Sequence, residues 1–133
     1  MVSRIAPQTF EIYEGSSLTL VARVETAGGT PIVIADVTSF NVDVFQLTAN
    51  TTPRDSVYSL GAITPATGFF DTLQHGDAEN MLGDSIGYNF KYVIAADDFL
   101  FHGGNHYRVE IAVLLGNSNH VMVFEGKIGE VYR

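Results

Sequence analysis

The clearest pattern in the sequence is the alternation of apolar and polar residues between Asn105 and Glu130. One side of this extended stretch carries an apolar residue at every second position: Tyr107, Val109, Ile111 and Val113. His106, Arg108 and Glu110 fall on the other side, which is typical of a strand with one buried face. The pattern therefore predicts a strand that covers a hydrophobic core.

A second strand is predicted directly after the first. Residues Gly116–Asn119 are types that tolerate the left-handed conformations of a tight reversal, so the chain turns there and returns over Val121–Ile128. From Val121 to Phe124 this return strand is apolar on both sides. We expect such a strand in the middle of a sheet, or in a sheet that meets another subunit.

Similar short apolar runs fill the rest of the chain, separated by turns rich in Gly and Pro. The predicted strands are Phe10–Tyr13, Leu18–Glu25, Ser39–Gln46, Val57–Ile63, Phe69–Leu73 and Tyr88–Ile94. The first two are either separate strands or one strand broken by a bulge. Seven or eight strands at this spacing predict an all-β fold, an antiparallel immunoglobulin-like β-sandwich.

Two segments depart from the strand pattern. Asp77–Leu82, closed by Gly83, predicts one short helical insert. Ala95–Phe101 predicts a turn of the 3₁₀ type.

Tyr107 stands at the start of its strand, with Asp98 and Gly104 before it. This arrangement is similar to the tyrosine corner of immunoglobulin-like domains, in which the phenol bonds back across a turn. A plain core tyrosine is the alternative interpretation.

Length and composition indicate one domain without covalent cross-links. The chain has 133 residues and no Cys, and it shows neither an internal repeat nor a linker. We divide it into an extended N-terminal arm, residues 1–9, and a single sandwich domain, residues 10–133. No apolar run has the character of a signal peptide or a membrane span, so we expect folding in the cytoplasm and no membrane contact.

The charge of the chain argues against nucleic acid as a partner. The net charge is −8, from 15 acidic and 7 basic residues, and the basic residues stand singly. Phosphate backbones repel such a surface. Only 17% of residues are charged, below the usual value of about 25%. Much of the surface is therefore neutral, which favours a subunit covered by neighbours, with a hydrophobic monomer as the alternative.

The segment Gly83–Gly87 matches the pattern G-x-S-x-G of hydrolase nucleophiles, with Ser85 as the serine. Gly104, Asn105 and His120 could be taken as its partners. A nucleophile elbow, however, needs a strand before the serine and a helix after it, and the predicted order here is the reverse. We expect no enzyme activity, no catalytic residues and no bound cofactor.

Metal binding is also not expected. His102 and His106 have the spacing of two ligands on a helix, but Gly103 and Gly104 between them disfavour a helix. The acidic residues between Asp71 and Asp98 form no calcium-loop pattern.

The aromatic residues Tyr88, Phe90 and Tyr92 share one side of a predicted strand. Such residues can stack on sugars or bases, but in a strand they more often belong to the core. We predict core positions for them.

Five segments together carry a resemblance to a known group of proteins: Glu14–Leu20, Gly28–Pro31, Ile34–Val37, Gly104–Glu110 and Phe124–Ile128. In this order they resemble small immunoglobulin-like virion proteins of tailed bacteriophages. The resemblance covers nearly the whole chain except the insert from about Pro65 to Gly87.

The resemblance implies a structural role in the virion. Members of the group are capsid decoration or cement proteins, which bind the outside of the major capsid lattice and stabilise it. The alternatives are an adaptor or fibre-attachment protein of the tail, neck or baseplate, and a carbohydrate-binding sandwich module. The implied partners are the major capsid protein or other virion proteins, with a homo-oligomer, a trimer or dimer, on the particle.

The arm and the loops at the ends of the sandwich are the expected contacts, since loops and termini are free to vary. The candidate partner-binding residues are Val2, Ser3, Arg4, Ile5, Pro7, Asn50, Arg54, Phe69, Phe70, His75 and Met81.

Overall fold

A computed structural model describes residues 8–26, 28–47, 57–75 and 86–131. Its strands are β1 (Gln8–Tyr13), β2 (Leu18–Ala22), β3 (Ser39–Leu47), β4 (Tyr58–Ile63), β5 (Phe69–Gln74), β6 (Tyr88–Ile94), β7 (His106–Leu115) and β8 (Ser118–Gly129). Two short 3₁₀ turns, Ile34–Asp36 and Pro65–Thr67, lie between strands. The predicted helix at Asp77–Leu82 lies outside the described residues.

The strands form two sheets, with the orders β1-β8-β7-β3-β4 and β2-β6-β5. All neighbours are antiparallel except β1 and β8. This order places the closing hairpin beside β3 and β4 and leaves β2, β6 and β5 opposite, as in immunoglobulin domains. The predicted all-β, immunoglobulin-like sandwich is therefore confirmed, and the first two predicted strands are separate strands of different sheets.

The hairpin of β7 and β8 is the longest paired element. Its register runs from His106 opposite Lys127 to Leu115 opposite Ser118. Every second residue of β7 from Tyr107 to Val113 is buried, as the alternation predicts. β8 lies between β1 and β7, which confirms the prediction of a strand inside a sheet.

Phe40 of β3 joins the two sheets. Its side chain is fully buried, and its ring packs edge-on against Phe69, Phe90 and Tyr92 at centroid distances of 5.5 to 5.7 Å. Gly68 lies against this cluster, because a Cβ there would come within 2.9 Å of the Phe40 and Phe90 rings. The chain can therefore cross between the sheets at Gly68 only if no side chain is present.

Asn89 is the one buried polar residue among the described positions, with 1% exposure. Its side-chain oxygen accepts from the Val24 N–H at 2.7 Å, and its amide donates to the carbonyls of Val24 and Ile32 at 2.9 and 2.8 Å. The amide thus fixes the chain after β2 and the return segment at Ile32 to β6. These partners offset the cost of burying the group.

Tyr107 is also buried, and its phenol oxygen accepts a hydrogen bond from the His102 N–H at 3.1 Å. A tyrosine at the start of a late strand that bonds back to the preceding turn is a tyrosine corner. The predicted corner is confirmed, although its partner residue is His102. The turn before it, predicted at Ala95–Phe101, is closed by the Asp98 N–H on the Ala95 carbonyl at 2.9 Å.

The start of β1 differs from the predicted domain boundary. β1 begins at Gln8, opposite Phe124, so Gln8 and Thr9 belong to the sandwich and not to the arm. Parallel pairing with β8 extends the sheet by two residues beyond the apolar run that the sequence shows.

We expect the substitution Asn89→Leu to lower the free energy of unfolding by about 2 to 4 kcal/mol, because it takes the hydrogen-bond partner from the buried Val24 N–H and Ile32 carbonyl and leaves the Val24 carbonyl with the Ile32 N–H alone. Urea unfolding followed by circular dichroism measures this loss. Asn119→Leu, at an exposed position of β8, is the matched control and should change stability by less than about 0.5 kcal/mol. Equal effects of the two substitutions would contradict the role assigned to Asn89.

Candidate interaction surface

The side of the five-stranded sheet that faces away from the core carries several apolar residues. We call this surface the five-stranded face; its apolar residues on β3, β7 and β8 are Phe45, Leu47, Ala112, Leu114, Val121 and Val123. All are half-buried except Val121, which is 51% exposed. The sheet register places Ala112 beside Val121.

Arg108 lies on this face near the start of β7, paired in register with Phe45 and Glu125. Its guanidinium donates to Glu110 at 2.8 Å and to Glu125 at 3.3 Å. Two carboxylates therefore fix the position of the Arg108 guanidinium.

Asp43 lies directly opposite Glu110 in the register and accepts a hydrogen bond from the Ser59 hydroxyl at 2.6 Å. Asp43, Glu110, Glu125 and Arg108 form a group on two adjacent rows of the sheet. The group has three negative charges and one positive, a net charge of −2. Like charges that face each other across strands are unfavourable in an isolated sheet. The group is therefore suited to a partner that brings positive charge.

The open faces of antiparallel sheets are usually polar. The five-stranded face instead mixes apolar residues with a compact group of charges, the composition of a protein contact surface. It can bury neutral surface against a partner. Arg108 and its carboxylates would fix the orientation.

Two shallow grooves, of about 590 and 750 Å³, lie along β1 and share the residues Glu11, Ile12 and Lys127 in their linings. Close packing of β1 on β8 depends on Gly126, since a Cβ there would collide with the Phe10 carbonyl oxygen. Both grooves border the strand that follows the predicted arm.

At one edge of the sandwich, β4 and the part of β6 beyond Phe90 are partly open, and we call this region the β4–β6 flank. By register, Tyr58 and Leu60 of β4 point inward with Val44 and Val42, and Tyr92 of β6 points inward with Leu20. Leu60 is nevertheless 39% exposed, and both tyrosines are only half-buried. The pairing of β5 with β6 ends at Phe90. Beyond that residue, no described strand covers the side chains of the flank.

The two tyrosines of the flank lie near Asp98. Burial, followed by the negative charge of Asp98, raises the pKa of Tyr58 above 10.0. Burial, followed by Tyr58 and then Asp98, raises the pKa of Tyr92 in the same direction. The Tyr58 ring also packs 5.5 Å from Phe99, which places the turn after β6 against β4.

The structure describes three of the predicted contact residues. His75 is exposed, and Phe70 is half-buried with its ring 6.1 Å from Tyr88. Phe69 is 2% exposed and packs in the core against Phe40 and Phe90, so its side chain is not available to a partner, which corrects the prediction. Val2, Ser3, Arg4, Ile5, Pro7, Asn50, Arg54 and Met81 lie outside the described residues.

The residues considered for hydrolase chemistry are not brought together. Asn105 precedes β7, whereas His120 pairs with Val113 near the far end of the hairpin. Asn105 and Val113 are eight residues apart along the strand, so roughly 26 Å separates Asn105 from the level of His120. Ser85 lies outside the described residues.

His102 and His106 are both exposed, and His106 pairs with Lys127. In the described part of the chain, no three His, Asp or Glu residues form a group that could hold a metal ion. The stacking candidates Tyr88 and Phe90 are buried, as predicted, and Tyr92 belongs to the open flank.

No family model and no curated protein matches the chain. One solved structure to which it is similar is that of Tim-1, with 12% sequence identity, a TM-score of 0.42, and coverage of 98% of this chain and 100% of that one. The fold assignment rests on the strand order. Among the described residues, no helix has the length and apolar character needed to cross a membrane.

Because the pKa of Tyr58 is raised in the folded state, the free energy of unfolding is expected to decrease at alkaline pH. Below pH 10.0 the phenol is neutral in both states; above it the unfolded phenol ionises first, so stability falls as the pH rises through the folded pKa. We expect the free energy of unfolding, measured in urea from about pH 9 to about pH 11, to fall less in Tyr58→Phe than in the unchanged chain.

Tyr13→Phe, at a position that is 66% exposed, is the control for this measurement and should follow the unchanged chain. An identical alkaline loss in Tyr58→Phe would show that the flank does not perturb the phenol.

Proposed function

We propose that this chain is a non-enzymatic structural protein of a bacteriophage virion, which binds the outside of the major capsid lattice and stabilises it. The observation that carries the proposal is the set of apolar residues on the five-stranded face, together with the charged group at Arg108. The resemblance to small virion proteins of tailed phages supports the choice of partner.

The size of the face determines how it can act. β3, β7 and β8 are about 4.8 Å apart and rise about 3.3 Å per residue, so together they present roughly 500 Å². A stable protein interface buries about 800 Å² on each partner. A single face of this size binds weakly, and occupancy of a particle requires many copies or further contacts.

The arm is the further contact that we propose. β1 starts at Gln8 beside β8, so the described chain begins at the edge of the five-stranded sheet. Arg4, Val2 and Ile5 supply positive charge and apolar side chains. Binding through both the face and the arm would exceed the affinity of either alone.

We expect the double substitution Val121→Asp and Val123→Asp to lower the occupancy of purified particles by about tenfold or more, because it puts charge into a neutral contact. Mass spectrometry of purified particles gives the copy number. Ile86→Asp, at a position with the same 51% exposure outside the face, is the matched control. Normal occupancy of the double variant would overturn the proposal that this face binds.

The same measurement separates the decoration role from the adaptor role. A decoration protein is present in numbers comparable with the major capsid protein and labels the shell in electron micrographs. A tail, neck or baseplate adaptor is present in a few copies at one vertex. Absence from particles altogether would overturn the virion assignment.

Deleting residues 1–7 is expected to weaken particle binding while the domain still melts in one cooperative transition near its usual temperature. β1 stays whole in this variant, whereas a deletion of residues 1–9 also removes the pairs of Gln8 and Thr9 with β8. Calorimetry and particle occupancy are measured together. Unchanged occupancy would show that the arm makes no contact.

A further inference from the structure

In the three-stranded sheet, β5 pairs with only the first part of β6. Among the described residues, the last hydrogen bond that β6 makes on the side of β5 joins the Lys91 N–H to the Gly68 carbonyl at 2.8 Å. The turn Pro65–Thr67 comes just before Gly68 and connects it to β4 of the other sheet. β6 continues to Ile94, paired with β2 alone.

The backbone of Val93 faces this gap. In an antiparallel strand the N–H and C=O of one residue point to the same side, and the side changes at each residue. Lys91 bonds toward β5, so Val93, two residues on, presents its N–H and C=O in the same direction. In the described part of the chain these groups have no partner.

Inward side chains at the gap are only partly covered in the described structure. Leu60 and Tyr92 occupy inward positions of facing sheets, yet Leu60 is 39% exposed and Tyr92 is half-buried. A strand in line with β5 would direct every second side chain between them. An apolar residue at that point would complete the core.

The lower end of the gap is acidic. Asp98 follows β6 in the turn that packs against Tyr58, and its carboxylate accepts no hydrogen bond within the described chain. A strand in line with β5 runs antiparallel to β6, so its amino end would lie at this level. Positive charge near that end would be favoured.

We propose that the β4–β6 flank binds an extended peptide segment of a partner protein. The segment adds as a strand to β6 in line with β5, bonded to the Val93 backbone. It directs an apolar residue at Leu60 and Tyr92, and it places a Lys or Arg near its amino end beside Asp98. Strand addition of this kind takes affinity from backbone hydrogen bonds and specificity from alternate side chains.

The shape of the gap selects this occupant. The open part of β6 is only a few residues long and is bounded above by Gly68, so a short segment fits where the edge of a folded sheet would collide with β5. A glycan could stack on the tyrosines but would leave the Val93 backbone groups without partners. The proposal is independent of the virion assignment.

The test uses the isotope-labelled full chain and two synthetic peptides, each a six-residue alternation of Val and Thr with capped ends. One carries an added Lys at its amino end and the other an added Glu. We expect the Lys peptide to shift the resonances of Val93, Tyr92 and Leu60 in a saturable way, and to bind about fivefold more tightly than the Glu peptide.

Two pairs of variants test the contacts. Val93→Pro removes the N–H that faces the gap, and Thr19→Pro removes the N–H of its register partner, which points to the opposite edge of the same sheet. We expect the first to weaken binding of the Lys peptide by about tenfold and the second to leave it unchanged. Asp98→Asn should abolish the preference for Lys over Glu, and Asp97→Asn should retain it.

Three outcomes would overturn the proposal. Peptide-induced shifts confined to β1, β2 or the outer edge of β4 would place strand addition elsewhere. Strong protection of the Val93 amide from hydrogen exchange before any peptide is added would show that the chain itself fills the gap. Unchanged binding in folded Val93→Pro would exclude the backbone contact; if that variant does not fold, the Asp98→Asn comparison and the resonance map decide.

Discussion

The packing of Phe40 between the two layers is the constraint on which the rest of the structure depends. Its ring contacts Phe69, Phe90 and Tyr92 from the opposite sheet. Gly68 must pass beside these rings, so the crossing from β4 to β5 is fixed at this level. One aromatic contact therefore sets both the distance between the sheets and the point at which β5 can begin.

Two surfaces of the molecule differ in shape, and we propose a binding role for each. The five-stranded face extends over several strands, with Arg108 bonded to two carboxylates, and we propose that it meets another protein surface. The β4–β6 flank is narrow and has directional backbone groups at Val93, and it suits a single extended chain. Both follow from where strands begin and end, and neither depends on a reactive side chain.

Local alternation explains which parts of the fold could be predicted from the sequence. The strands around Val42 and Val109 alternate strictly, and the structure buries the predicted side of each; around Phe90 the predicted side is buried except at Tyr92, which is half-buried. Tyr107 could be recognised because its corner lies within five residues. Asn89 gave no such signal, because its partners Val24 and Ile32 are distant in sequence.

The two proposed binding surfaces were harder to predict, because each combines residues from strands that are distant in sequence. Val121–Phe124 is apolar on both sides, which indicated an outward apolar surface, but nothing local places Phe45 beside Arg108. At Phe69 and Phe70 two adjacent aromatic residues leave the inward side ambiguous. The contact of Gly68 with Phe40 decides it, and Phe69 becomes a core residue.

The parallel pairing of β1 with β8 has a mechanical consequence. Gln8 lies opposite Phe124 and Tyr13 opposite Gly129, so the chain enters β1 at one end of the pair and leaves β8 at the other. A pull on the two ends therefore acts along the strands and loads their shared hydrogen bonds together in shear, whereas a hairpin pulled at its open end separates one bond at a time. A domain built in this way resists force best along the direction of these two strands.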